Sequence, residues 1–279
     1  MRGRVLAVAG SVSGGGAGIQ ADIKTITALG GYAMTAVTAL TVQDTRGVHD
    51  VLPVPAAFVA AQMRAVLDDP GADAVKTGML GDAATIGAVS EVLAARPVRL
   101  PLIVDPVMVA KGGRSLLAEE ALAALKRYLL PLAAMLTPNV PEAEALTGLA
   151  IADAAAMRPA AEALLALGLP AVLLKGGHLP GDIVTDLLAS AEGLREFRFP
   201  RLATRHTHGT GCTLASAVAT GLAQGMEPGD AVARARAYVQ AAIAAAPGFG
   251  AGHGPLDHAV TLDPARLAAL TGGITASRT

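Results

Sequence analysis

The sequence predicts an α/β fold in which helices pack on a mostly parallel central sheet with an antiparallel edge. Short apolar runs bounded by turn residues alternate with longer amphipathic segments, as they do in successive βαβ units. Polar and glycine residues collect where these runs end, which is where parallel sheets bind ligands. Two neighbouring runs, residues 183–188 and 195–199, are close enough in sequence to pair as a hairpin.

The predicted elements follow in order along the chain. The strands are apolar runs that cover residues 5–9, 33–42, 74–77, 102–104, 135–137 and 171–174. The helices are amphipathic segments that cover residues 19–29, 55–67, 83–95, 118–128, 154–167, 213–224 and 228–245. Ala191-Glu192-Gly193 separates the two antiparallel strands at the sheet edge. No repeat, linker or charge run divides the chain, so we expect one domain over residues 1–260 and a C-terminal tail over residues 261–279.

Composition narrows the possible partners and location. Of the 279 residues, 52% are hydrophobic and 16% are charged, and the net charge is -1, so no nucleic-acid partner is expected. The apolar stretch 5–9 is too short for a signal peptide, and no run of about 18 apolar residues predicts a membrane span. We therefore expect a cytoplasmic protein without a membrane partner. The single cysteine, Cys212, excludes an intramolecular disulfide and a multi-cysteine metal site.

A glycine-rich loop follows the first predicted strand over residues 10–18. Its backbone N–H groups are open to a ligand, although a tight turn without a ligand is an alternative. Residues 16–21 also match the relaxed dinucleotide fingerprint G-x-G-x-x-A, so a Rossmann oxidoreductase is a rival interpretation. Asp44, the next acidic residue near a strand end, lies too far along the chain for that role. No Walker A motif follows these glycines.

Similar polar clusters follow the other predicted strands. They are Gln43-Asp44, Lys76-Thr77-Gly78, Asp105-Pro106, Pro138-Asn139 and Lys175-Gly176-Gly177-His178. The carboxyl ends of parallel strands meet at one edge of a sheet, so these clusters predict a single ligand site there.

A second glycine motif, His208-Gly209-Thr210-Gly211-Cys212-Thr213, stands before an alanine-rich helical segment. The N–H groups of residues 209–212 would form an anion hole at the helix N-terminus, suited to a phosphoryl group in transfer. The helix dipole is expected to lower the pKa of Cys212, so that a thiolate could accept a hydroxyl proton. The alternative is an inert buried cysteine in the first turn.

These motifs together resemble the hydroxymethylpyrimidine/phosphomethylpyrimidine kinases of thiamine biosynthesis, which belong to the ribokinase superfamily. The residues that carry the resemblance span residues 4–260 in order and are Gly14-Gly15-Gly16-Ala17-Gly18-Ile19-Gln20-Ala21-Asp22, Thr38-Ala39-Leu40 with Gln43, Lys76-Thr77-Gly78-Met79-Leu80, Asp105-Pro106-Val107-Met108, Thr137-Pro138-Asn139 with Glu142, Lys175-Gly176-Gly177-His178 and Thr207-His208-Gly209-Thr210-Gly211-Cys212-Thr213. The resemblance implies a ribokinase-like three-layer α/β/α sandwich, ATP as co-substrate, Mg²⁺, a small pyrimidine acceptor and a homodimer.

The resemblance also implies roles for individual residues. Cys212 would be the catalytic base, and the backbone amides of Gly209, Thr210 and Gly211 would stabilise the transferred phosphoryl group. The acceptor would contact Gln43 as the specificity residue and Ala17, Val42, Met79 and Val107 as apolar walls. ATP would contact Asn139, Lys175 and Thr213, and Mg²⁺ would be organised by Asp105 and Glu142.

Two departures and two alternatives accompany this interpretation. The family usually has aspartate where this chain has Val12, and asparagine where it has His206. A pyridoxal or pyridoxine kinase on the same scaffold is the second interpretation, and a ligand-binding regulator without catalytic activity is an alternative from another functional class.

The glycine-rich stretch after Pro247 is expected to be either a loose end or a loop that closes over the site.

Overall fold

The computed structural model describes residues 3–108 and 119–262. The strands are β1 (Arg4–Val12), β2 (Tyr32–Gln43), β3 (Val48–Pro53), β4 (Ala74–Thr77), β5 (Leu102–Val104), β6 (Met135–Leu136), β7 (Ala171–Lys175), β8 (Ile183–Ser190) and β9 (Gly193–Pro200). The helices are α1 (Gly18–Ala28), α2 (Ala56–Asp68), α3 (Ala83–Ala94), α4 (Glu119–Ala124), α5 (Val140–Thr147), α6 (Ala154–Leu165), α7 (Thr210–Ala223) and α8 (Pro228–Ala244).

All nine of these strands belong to one sheet, in the order β3-β2-β1-β4-β5-β6-β7-β8-β9. The six strands from β2 to β7 in that order are parallel to one another. The strands β3 at one edge and β8 and β9 at the other are antiparallel to their neighbours. The predicted antiparallel pair is therefore confirmed as β8 and β9.

Alternate side chains of the strands enter two hydrophobic layers, one on each face of the sheet. Leu6 and Val8 of β1 pack in the layer that contains residues of α2, α3, α5 and α6, whereas Val5 packs with residues of α1, α7 and α8. The central strands are apolar on both faces because both are covered by helices. The predicted three-layer α/β/α arrangement and its mostly parallel sheet are confirmed.

Two secondary-structure elements were not predicted from the sequence, and one predicted helix is divided into shorter helical turns. Strand β3 and helix α5 have no counterpart among the predicted elements. The helix predicted over residues 118–128 is α4 followed by a π-helical turn, Leu125–Leu129, and a 3-10 turn, Leu130–Leu132. Residue 118 and residues 263–279 of the predicted tail lie outside the described residues. Within the described ranges, no helix is long and apolar enough to cross a membrane.

Candidate active site

A cavity of about 690 Å³ opens at the carboxyl ends of the parallel strands. This is the edge where the sequence predicts a single ligand site, and residues that follow β1, β2, β4, β5 and β7 meet there. Predicted site residues that line the cavity are Ala17, Gln43, Met79, Asp105, Val107, Asn139, Glu142, Lys175, Gly209, Thr210, Gly211 and Cys212.

Two of the predicted contact residues do not line the cavity. Val42 alternates with Thr41 and Gln43 along β2, so its side chain faces the other way and is 58% exposed. Thr213 is fully buried behind the first turn of α7, where its hydroxyl lies 2.9 Å from Nε2 of His258.

The N-terminus of α7 forms one wall of the cavity. Helix α7 begins at Thr210, three residues earlier than expected, and its N-cap Gly209 adopts φ 87° and supplies no side chain to cap the helix. Thr210 N–H makes a long hydrogen bond of 3.4 Å to the Thr207 carbonyl oxygen, and no side chain caps the helix. The N–H groups of Gly211 and Cys212 have no acceptor within the helix, which leaves them available to an anion. A Cβ at Gly209 would stand 1.8 Å from the carbonyl oxygen of Gly16, so only glycine permits the two glycine-rich loops to meet here.

Cys212 lies in this first turn and is half-buried at the cavity wall. Burial raises the pKa of Cys212 to about 11, and the nearby carboxyl groups of Asp22 and Asp105 add to that rise. The Lys76 ammonium and the Gly18 N–H act in the opposite direction without reversing it. The expected lowering of the Cys212 pKa is therefore wrong, because desolvation of the thiolate is the largest effect on it.

Lys76 and Asp22 form a fully buried ion pair close to Cys212. Lys76 Nζ is 2.9 Å from Asp22 Oδ1 and 3.0 Å from Oδ2, and the Ser216 hydroxyl donates to Oδ1 at 2.7 Å. Burial opposes the Lys76 charge, but Asp22 and then Cys212 and Asp105 raise the pKa of Lys76 overall. Burial also raises the pKa of Asp22, yet these contacts keep the carboxylate paired. Neither residue of this pair was among the predicted site residues; a lysine inside an apolar strand was the available signal.

Three charged side chains form a second cluster across the cavity. Lys175 Nζ is 2.9 Å from Asp105 Oδ1 and 4.0 Å from Glu142 Oε2. Asn139 and Glu142 form a capping box at the start of α5, in which each backbone N–H donates to the other residue's side chain. Burial raises the pKa of Glu142 to about 7, although Lys175 partly offsets this effect. The cluster thus places the Lys175 ammonium between the carboxyl groups of Asp105 and Glu142.

These two carboxylates fit the oxygen ligands that Mg²⁺ prefers, but they are too few to enclose it. Among the residues that the structure describes, no group of three or more His, Cys, Asp and Glu side chains could hold a metal. Mg²⁺ keeps several waters and often binds through one or two carboxylates plus substrate phosphates. Asp105 and Glu142 therefore fit a metal that arrives with a phosphate ligand.

One side of the cavity contains Gln43 and His208, and His208 was not among the predicted site residues. Gln43 Nε2 lies 3.3 Å from His208 Nε2, and both residues line the cavity. Val12, one of the two departures, also lines this region and is 6% exposed, so it adds apolar surface.

The C-terminal strap, residues 248–258, packs against the loops around Gln43 and His208. Gly252 N and His253 N donate to Oγ1 and the carbonyl oxygen of Thr45 at 3.1 and 2.7 Å. His208 N in turn donates to the carbonyl oxygen of Gly254 at 3.1 Å. The glycine-rich stretch is therefore not a loose end, because it joins two loops of the site.

Comparison with known proteins assigns the family. A family model described as Phosphomethylpyrimidine kinase matches residues 13–257. The chain belongs to this family. The phosphomethylpyrimidine kinase match confirms the resemblance, and with it the ribokinase-like fold, and removes the oxidoreductase interpretation of the first loop.

Two curated relatives of this family are similar over most of the chain. The chain is 52% identical over 265 residues to the thiamine biosynthesis bifunctional protein ThiED of Geobacter sulfurreducens, covering 95% of this chain and 54% of that longer protein. It is also 52% identical over 254 residues to the hydroxymethylpyrimidine/phosphomethylpyrimidine kinase of Streptomyces coelicolor, covering 91% of this chain and 93% of the relative.

Two solved structures share the fold. The pyridoxal kinase from Staphylococcus aureus in complex with AMP-PCP and pyridoxal matches with a TM-score of 0.85 and 35% identity, over 93% of this chain and 94% of that chain. The phosphomethylpyrimidine kinase from Clostridium difficile matches with a TM-score of 0.75 and 40% identity, over 85% of this chain and 97% of that chain.

Proposed function

We propose that this chain is an ATP-dependent kinase that phosphorylates 4-amino-5-hydroxymethyl-2-methylpyrimidine and then its monophosphate, in thiamine diphosphate biosynthesis. The observation that carries the proposal is that one cavity joins the open first turn of α7, Cys212 and Lys175 to an amide side chain, Gln43. The first three suit phosphoryl transfer, and an amide can pair with an aminopyrimidine edge. The names of the curated relatives agree with this activity.

In the proposed reaction the hydroxymethyl oxygen attacks the γ-phosphorus of ATP in line. A P–O bond forms to this oxygen, the bond from the γ-phosphorus to the β–γ bridging oxygen breaks, and ADP leaves. Lys175 and the Asn139 amide bind the phosphates, and the N–H groups of Gly209 to Cys212 stabilise the charge on the transferred group. The end of β7 and the first turns of α5 and α7 already hold these groups, so little reorganisation accompanies the reaction.

Cys212 accepts the hydroxyl proton in this proposal. With a pKa of about 11, most of the thiol is protonated at neutral pH, so the reactive fraction grows as the pH rises. Lys76 sustains that fraction because its ammonium lowers the pKa of the thiol. The second acceptor is a phosphate that is already anionic, so the second transfer needs no base.

Asp105 and Glu142 would hold Mg²⁺, in part through water. The metal, when bound, supplies positive charge that neutralises the β- and γ-phosphate oxygens. Lys175 lies within 4.0 Å of both carboxylates, which places its ammonium where it can turn toward the same phosphates.

A coupled ADP-release assay tests the proposed function. Purified protein with ATP and Mg²⁺ is given the hydroxymethylpyrimidine, its monophosphate or pyridoxal in parallel. We expect turnover with both pyrimidines and a lower kcat/KM with pyridoxal. Absence of ADP release with every acceptor would instead support a binding regulator.

A pyridoxal kinase is the second candidate, favoured by the similarity to the Staphylococcus aureus pyridoxal kinase over 93% of this chain. A higher kcat/KM for pyridoxal than for the pyrimidine in the same assay would establish it. A cytoplasmic location and a homodimer are further parts of the proposal, the second resting on the family resemblance alone.

A further inference from the structure

We propose that His208 is a positioning residue that sets the orientation of the Gln43 amide, and so selects acceptors with an amino group beside a ring nitrogen. The inference rests on the proposed function and adds a determinant of its specificity.

With the Gln43 amide oriented as it is in the structure, the contact between the two side chains allows one arrangement of hydrogens. Gln43 Nε2 is an amide nitrogen that can only donate, so at 3.3 Å His208 Nε2 must be the acceptor. The imidazole is then neutral and carries its hydrogen on Nδ1. Turning the amide by 180° without moving the imidazole hydrogen to Nε2 would place the amide oxygen against the bare ring nitrogen and join two acceptors.

The opposite end of the amide is held less firmly. Gln43 Oε1 lies 3.4 Å from the Thr41 hydroxyl, but the single hydrogen of that hydroxyl has a nearer acceptor, the Ser11 carbonyl oxygen at 3.0 Å. His208 is therefore the contact that distinguishes the two amide orientations.

His208 itself is fixed on three sides. The residue is 9% exposed, and its backbone N–H donates to Gly254 in the C-terminal strap. Gly16 leaves the space that the ring fills, because a Cβ there would stand 2.8 Å from His208 Cδ2. The strap also donates hydrogen bonds to Thr45, two residues after Gln43, so one segment joins the loop of the imidazole to the loop of the amide.

The orientation decides what the cavity offers to a ring. His208 takes one of the two N–H hydrogens of Gln43, which leaves the other hydrogen and the oxygen as a donor beside an acceptor. A ring nitrogen next to an amino group presents the complementary pair, an acceptor beside a donor. Pyridoxal has no amino group beside its ring nitrogen, so it gains less from this arrangement.

Three variants of His208 separate positioning from packing. His208→Gln can place an oxygen close to the former Nε2, whereas His208→Asn is too short, and His208→Phe keeps the ring shape without an acceptor. Since one oriented hydrogen bond is at stake, we expect His208→Asn and His208→Phe to raise KM for the hydroxymethylpyrimidine about 10-fold. His208→Gln should restore KM to within about 3-fold of the wild type, and KM for ATP should change less than about 2-fold in all three.

A double-mutant cycle with Gln43→Ala completes the test. If His208 acts through Gln43, His208→Phe adds no further loss to KM for the pyrimidine in the Gln43→Ala background. The inference would be overturned if the effects of His208→Phe and Gln43→Ala on KM for the pyrimidine were additive. It would also be overturned if KM rose equally for an analogue that lacks the amino group. Circular dichroism and thermal melting identify an unfolded variant, and in that case the Gln and Asn variants decide the question. If the wild-type protein does not turn over the pyrimidine, both the proposed function and the inference are overturned. If it does, but the effects of the two substitutions on KM are additive, the inference alone is overturned.

Discussion

Replacing Glu142 by glutamine should stabilise the ligand-free protein at alkaline pH. Burial raises the pKa of Glu142 from 4.5 to about 7, so folding favours the protonated carboxyl group. The stability that this group contributes is complete below pH 4.5 and is lost as the pH rises through 7. Glutamine has no charge to desolvate and can still accept the hydrogen bond from Asn139 N–H. The variant should therefore gain on the wild type as the pH increases.

The size of the gain follows from the shift. Each pKa unit corresponds to about 1.4 kcal/mol, and the charges of Lys175 and Asp105 also act on Glu142, so we expect a gain of about 1 to 3 kcal/mol at pH 8. For a chain of 279 residues that corresponds to a rise in Tm of about 2 to 5 °C. The difference should shrink at pH 5, where the wild-type carboxyl group is protonated in the folded state.

Differential scanning calorimetry of both proteins from pH 5 to pH 8, without nucleotide, measures this difference. Glu192→Gln, at the exposed turn between β8 and β9, is the control for removing one carboxylate from the surface. A Tm difference that does not vary with pH, or a variant that melts below the wild type at pH 8, would show that Lys175 stabilises an ionised Glu142 and would refute the reasoning.

Three further predictions concern the centre of the site. Cys212→Ala should slow the first transfer by about 10² to 10⁴-fold and the second much less; equal losses in separate assays of the two steps would contradict a base. The kcat of the first transfer should rise from pH 7 to pH 10, toward the thiol pKa of about 11, and a flat pH–rate profile would argue against the thiolate. Lys76→Met should lower the free energy of unfolding by about 3 kcal/mol because it leaves Asp22 buried without its cation, and urea titration should show part of that loss recovered by adding Asp22→Asn.

The parallel strands could be predicted because they are buried on both faces and read as continuous apolar runs. Strand β3 could not, since most of its side chains are exposed and it ends in Pro53, which removes the apolar signal. Helix α5 is only eight residues long, too short for a clear amphipathic period. Its capping box, Asn139 followed three residues later by Glu142, was the signal that could have revealed it.

The site was predictable to a similar extent. Residues at strand ends converge for topological reasons, so most of the cavity wall follows from the sequence. Val42 was predicted to line the cavity, but it does not. Alternation along β2 could have shown this, because adjacent residues of a strand face opposite sides and Gln43 faces the cavity. The contact between Gln43 and His208 spans 165 residues and depends on how two loops meet, which no local pattern encodes. The thiol pKa likewise depends on desolvation, a property of the folded chain.

The protonated state of Cys212 has a consequence for the protein under oxidative stress. Peroxides oxidise cysteine through its thiolate, and burial keeps that form scarce at neutral pH. The same desolvation that limits the thiol as a base thus shields it from conversion to sulfenic acid. The chain has no other cysteine, so no second thiol of its own could reduce a sulfenic acid at Cys212 by forming a disulfide. The low thiolate fraction is therefore the protection against oxidation that the chain itself provides.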